Sequence, residues 1–220
     1  MVTTSPASAQ RAPIVPADLV TAAGHVRSTL RPLLGADWST PAGDLAWSAR
    51  ATLEHLPDVL TWYAAQLATR ARGDLPGPRH GDPSLTVGDL LTVTVTTATV
   101  LAEVVVAAKP SARAWHMLGS ADPEGWAAMG CDELLIHADD IARGFGVDFR
   151  PPAELCERVL RRLFPWAPAG VDPWQGLRWA NGRIAIDGHE RLGEDWAWHC
   201  APLDDWDGTI PRWTGTPDRA

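Results

Sequence analysis

"GCDELLIHADDIARGFG", residues 130–146, is the stretch on which the reading of this chain turns. Leu134, Leu135, Ile136 and Ile141 argue for a buried helix, with Gly144 and Gly146 as its stop signals. Yet the same stretch carries Glu133, His137, Asp139 and Asp140. At about 100° per residue, Glu133 and His137 lie on one helix face and Asp140 joins them. Gly130 and Gly144 fall near that face and are expected to leave space over it. A buried carboxylate is costly unless it is paired or bound to a cation. Carboxylate oxygen and imidazole nitrogen both ligate zinc and similar divalent ions, and an i, i+4 pair supplies two adjacent coordination positions from one rigid helix. The alternative is a Glu–His hydrogen bond on a wet face.

A third ligand has to come from another segment. His55, in "TLEHLPDVL", is the best candidate, because it projects to the side of that helix's leucine stripe. His25 on the first helix, His80 in a Pro/Gly loop, His116 beside Trp115, and His189 and His199 in the tail are weaker.

Outward from this stretch, the chain reads as four long helices. The first starts at Pro16 and stops near Gly35. The second has Ser48 as N-cap, runs to about Arg72 and carries Pro57, which removes a backbone hydrogen bond and predicts a kink. The third starts near Thr86, where "TVGD" resembles a capping box, and reaches Lys109. Its Val and Thr residues favour a strand on propensity, but length and apolar spacing favour a helix. The fourth spans about Pro123 to Arg143, and a shorter amphipathic helix, "PAELCERVLRRLF", follows. After it, "LRWANGRIAI" reads as two strands around an Asn181-Gly182 turn, and "DWAWHCAPL" as a third. The expected architecture is thus mainly α: a loose tail over 1–15, a four-helix bundle over 16–165 and a small β-containing appendage over 166–220.

Composition narrows the function. The formal charge is −8 with Lys109 as the only lysine, and no basic run exists, which argues against nucleic-acid binding. Arginine, alanine and proline usage points to a high-GC genome. Cys131, Cys156 and Cys200 match no zinc-ribbon or CxxC spacing, so reduced thiols are expected. The N-terminus lacks the apolar core of a secretory signal, and Glu103 interrupts the most apolar run, so a cytoplasmic protein outside the membrane is expected.

The motifs "DW-x8-WSARATLEHLPDVLTWYA" and "ELLIHADDIARGFG" resemble the mycothiol-dependent maleylpyruvate isomerase N-terminal family of the DinB-like superfamily, over roughly residues 16–165. The tail is similar to C-terminal segments of actinobacterial members. The resemblance implies a DinB-like four-helix bundle whose metal, zinc or another divalent ion, is bound by His55, Glu133 and His137. It also implies a C-terminal arginine that contacts substrate; Arg183 is the first choice, with Arg178 and Arg191 competing. The implied chemistry is a mycothiol-dependent isomerase or S-transferase. A small-molecule thiol takes the open metal position, becomes a thiolate and attacks an electrophile, while an arginine clamps a substrate carboxylate. Asp139 and Asp140 are candidates to orient His137 or to pair with Arg143. Trp179, Trp196 and Trp198 read as core rather than pocket wall, and Cys131 points away from Glu133. Three rivals share the bundle: a metal-dependent hydrolase that activates water, a specialised biosynthetic enzyme, and a non-catalytic protein that holds metal or thiol.

Overall fold

The computed structural model describes residues 11–77 and 82–214, and His80 lies outside them. Among these residues the chain is mainly helical with one small antiparallel sheet. Four long helices, α1 (Pro16–Leu30), α2 (Ala49–Thr69), α3 (Val87–Ala107) and α4 (Pro123–Gly144), pack so that α1 and α2 each contact both α3 and α4. Strands β1 (Ala114–His116) and β2 (Gly119–Ala121) join α3 to α4. Helices α5 (Ala153–Leu163) and α6 (Pro173–Ala180) pack on each other, and α5 packs on α4.

The helix starts follow their caps. Ser48 accepts a hydrogen bond from the Ala51 N–H, and Asp122 from the Gly125 N–H with Pro123 at the first helical position. Thr86 and Asp89 form the expected capping box: the Thr86 hydroxyl accepts from Asp89 N at 3.2 Å, and Asp89 accepts from Thr86 N at 3.0 Å. The β-branched run stays helical because its hydroxyls bond back into the helix, as when Thr94 donates to the Leu90 carbonyl at 2.8 Å. Helix α2 continues through Pro57 and ends at Thr69, with Arg70 left-handed at φ 51°.

By length and composition α3 is long and apolar enough to cross a membrane, with a third of its most apolar stretch buried. Leu90, Leu91, Ala98 and Leu101 turn inward against the bundle. In the segment read as a loose tail, Ile14 is buried and Arg11 meets Glu124 at 2.6 Å.

The C-terminal region corrects the expected hairpin. Residues 173–180 form α6, capped by Asp172, and Asn181-Gly182 closes it rather than turning a hairpin. Gly182 is left-handed at φ 68°; its N–H donates to the Trp179 carbonyl and the Arg183 N–H to the Arg178 carbonyl, both at 2.8 Å. These two bonds are a Schellman motif. Asn-Gly supplies positive φ to either structure, and the helix wins because Asp172 and Pro173 start one eight residues earlier. "DWAWHCAPL" is not a strand either; it makes one isolated bridge, Trp196 with Arg212. Its backbone is engaged elsewhere: His199 N donates to the Leu163 carbonyl, and Arg162 caps the His199 and Cys200 carbonyls. The small sheet therefore sits between α3 and α4, not in the tail.

Gly130 and Gly144 do not open space over the site. A Cβ on Gly130 would meet Leu19, Leu101 and Leu60 at 2.7, 2.9 and 3.2 Å, so this glycine lets the other bundle helices approach α4. A Cβ on Gly144 would run into the Pro41 carbonyl.

Candidate metal centre

Three side chains converge between α2 and α4. His55 Nε2 lies 3.2 Å from Glu133 Oε2, and His137 Nε2 lies 3.1 Å from the same oxygen. The ligand atoms of all three fall within 4.8 Å of one another. The imidazoles meet edge-on, with centroids 5.1 Å apart. The sequence thus identified a triad that the fold brings together from residues 78 positions apart.

The triad fits a divalent ion. Two imidazole nitrogens and one carboxylate oxygen are a common donor set for borderline ions such as zinc, and three protein ligands leave a coordination position for a small molecule. Glu133 Oε1 is already taken, because the buried Tyr63 hydroxyl donates to it at 3.0 Å, so Oε2 is the oxygen turned to the histidines. The His137 ring is backed by Asp140, whose Oδ2 lies 3.3 Å from Nδ1. Nδ1 is poorly aligned with that oxygen and makes no proper hydrogen bond, so the contact is a charge approach, an ion pair when the ring is protonated.

Asp140 is a junction. Arg183 grips it with two bonds, Nε to Oδ1 at 3.1 Å and Nη2 to Oδ2 at 2.7 Å, and Arg143 adds a third to Oδ1 at 2.6 Å. Arg143 also donates to Asp139 at 3.1 Å. Arg183, the sequence's candidate substrate arginine, is therefore one carboxylate removed from His137. It is placed there because the Schellman motif ends α6 immediately before it. Its competitors go elsewhere: Arg178 faces Asp139, and Arg191 bonds the Gly182 carbonyl and Asp44.

Electrostatics follow this arrangement. Burial alone would raise the Glu133 pKa, but His137 and His55 hold it well below the usual carboxylate range. Burial opposes charging of His137, yet Asp140 and Glu133 outweigh it and raise its pKa to about 9. Burial likewise pushes Asp140 up, and His137 and Arg183 bring it down below its ordinary value. Burial lifts Tyr63 well above the usual phenol range, so it stays a hydroxyl donor. Burial also holds the Cys131 thiol far above its usual pKa, which makes it a poor nucleophile.

Two contributors escaped the sequence reading. Tyr63 sits about two turns after His55 on α2, and being the only tyrosine was its one signal. Trp47 ends the loop before α2, with its indole 5.3 Å from the His55 ring and 6.5 Å from His137. That loop is held by the Pro41–Ser48 bridge and by Ala42 N donating to the Trp47 carbonyl, so the partly exposed indole forms a fixed wall. Of the tail tryptophans, Trp179 is buried and Trp198 donates to the buried Asp132 at 2.8 Å.

Comparison of the chain with protein-family models, with curated proteins and with solved structures returns no match.

Proposed function

We propose that the chain is a metal-dependent thiol enzyme built on a DinB-like bundle. In this reading His55, Glu133 and His137 hold zinc or a similar divalent ion, and a low-molecular-weight thiol such as mycothiol meets a small electrophile there. The observation that carries the proposal is the convergence of the three ligand atoms within 4.8 Å, supplied by two helices. The motif resemblance over residues 16–165 supports the thiol half of it. A divalent ion in such a site lowers the pKa of a thiol or water placed on it.

The chain's own residues supply the rest. Glu133 presents one oxygen while Tyr63 restrains the other. Asp140 backs His137 on its Nδ1 side and leaves Nε2 facing the other ligands. Trp47 shields the two rings from bulk water on one side. Arg183 brings cationic donors close to the site, and its role toward a substrate carboxylate requires it to trade part of its grip on Asp140.

The test measures metal content and mycothiol consumption against a panel of electrophiles, comparing the protein with His55→Ala and Glu133→Ala. The expected result is about one ion per chain, lost in both variants, and turnover that needs the thiol. Full metal content in both variants would end the triad assignment. Metal loss without thiol-dependent turnover would move the reading to a hydrolase using water at the same position, to a specialised biosynthetic enzyme, or to a non-catalytic metal holder.

A further inference from the structure

A cavity lies against the C-terminal end of α4 and along α6. It has a volume of about 360 Å³ and opens to solvent, within the size range of small-molecule sites. Asp139, Arg143, Phe149, Trp174, Gln175 and Arg178 are among its walls, and none of His55, Glu133 and His137 is.

Arg178 is the unusual group. Its side chain is only 18% exposed, and its Nε lies 3.1 Å from Asp139 Oδ2. That Nε nevertheless makes no hydrogen bond. The Asp139 oxygen accepts a well-formed bond from Arg143 Nε at 3.1 Å, whereas the Arg178 N–H is within reach of it but not aimed at it. Arg143 and Arg183 each make two bonds to Asp139 and Asp140, while Arg178 has charge proximity to Asp139 without a bond. Nε alone is both buried and unbonded, and the terminal Nη donors of the guanidinium remain for an acceptor from outside. An acceptor entering from the cavity would meet those Nη donors.

The walls also define the ligand. Arg143, Arg150 and Arg178 are balanced by Asp139, Asp148 and Asp172, so the lining is neutral overall and unsuited to a polyanion. The one cation short of a bonded partner leaves room for a single negative charge. Trp174, packed edge-on against Phe149 at 5.8 Å, offers an apolar aromatic wall beside it. We propose that this cavity binds a small monocarboxylate with a flat apolar body, Arg178 pairing with the carboxylate and Trp174 covering the body. This does not depend on the metal reading.

The probe is benzoate, titrated calorimetrically into the full-length protein both as purified and after EDTA treatment, with neutral benzamide and inorganic phosphate as comparators. Saturable benzoate binding is expected in both preparations, with benzamide and phosphate about tenfold weaker or worse, reflecting the charge-assisted bond and the neutral walls. Arg178→Gln is expected to weaken benzoate about tenfold. Arg178→Lys keeps the charge and loses the planar fork, so it should fall between the two and keeps the test decisive if the Gln variant does not fold. No saturable benzoate binding, loss of binding on EDTA treatment, phosphate binding as tight as benzoate, or undiminished affinity in a folded Arg178 variant would each overturn the proposal.

Discussion

Replacing Asp140 with Asn keeps the shape of the side chain and removes its charge, which should both destabilise the fold and loosen the metal centre. Asp140 is 0% exposed and accepts three arginine bonds while facing His137. An amide would turn an NH2 group toward one set of cations and leave Arg183, which has no other carboxylate partner among the described residues, partly buried without a counter-charge. Breaking a buried ion pair from one side costs about 3–5 kcal/mol. Arg143 and Arg183 keep some solvent access, so the lower end, about 3 kcal/mol, applies. For a chain of this size that corresponds to a fall in Tm of roughly 6–12 °C. The same change weakens zinc about 10–100-fold, because His137 loses the group that backs it. Thermal unfolding in EDTA and zinc competition against a chromophoric chelator read the two effects separately. The Asp140 pKa is lowered in the fold, so its contribution is present above the unfolded value of about 3.9 and is lost as pH falls through the folded value. The gap between the two proteins should therefore close in acid. A variant within about 2 °C of the parent at neutral pH, with unchanged zinc affinity, would refute this account of the junction.

Tyr63→Phe deletes the hydroxyl on Glu133 Oε1 and is expected to weaken zinc about tenfold while leaving the helical circular dichroism intact. The pH dependence of metal uptake has a defined sign. In the metal-free protein the raised His137 pKa contributes stability fully present below about 6.5 and lost as pH rises through about 9. Since the ion needs the neutral ring, zinc affinity should climb through the same window with release of a proton, which calorimetry in buffers of different ionisation enthalpy detects. Gly144→Ala drives a methyl into the Pro41 carbonyl; it should cost about 1–3 kcal/mol by chemical denaturation, despite alanine's better helix propensity.

The parts of the fold that were legible in the sequence are those whose signals are local. Ser48, Thr86 with Asp89, and Pro123 mark helix starts by chemistry that acts within one turn. Glu133 and His137 could be paired from their spacing alone, and His55 by its position off the leucine stripe. The tail is ambiguous in sequence because Asn181-Gly182 supplies positive φ to a hairpin and a helix end alike, and the deciding residues, Asp172 and Pro173, lie upstream of "LRWANGRIAI". The β1–β2 pair escaped because three-residue strands carry too short a pattern for alternation to register. Tyr63 and Arg178 owe their significance to partners on other helices, which no periodicity reveals.

Asp132 sits one residue before Glu133 and is buried at the heart of α4, where its two oxygens are met by Asn181 at 2.9 Å and Trp198 at 2.8 Å. Both donors belong to the last quarter of the chain. During synthesis the N-terminal part emerges first, so a newly made bundle must wait with this carboxylate unanswered until Asn181 and Trp198 leave the ribosome. Glu133, beside it on the same helix, would then reach its finished surroundings only after Trp198 has emerged, and a nascent chain stalled before residue 181 would hold Glu133 and His137 on a helix whose Asp132 is still unpaired.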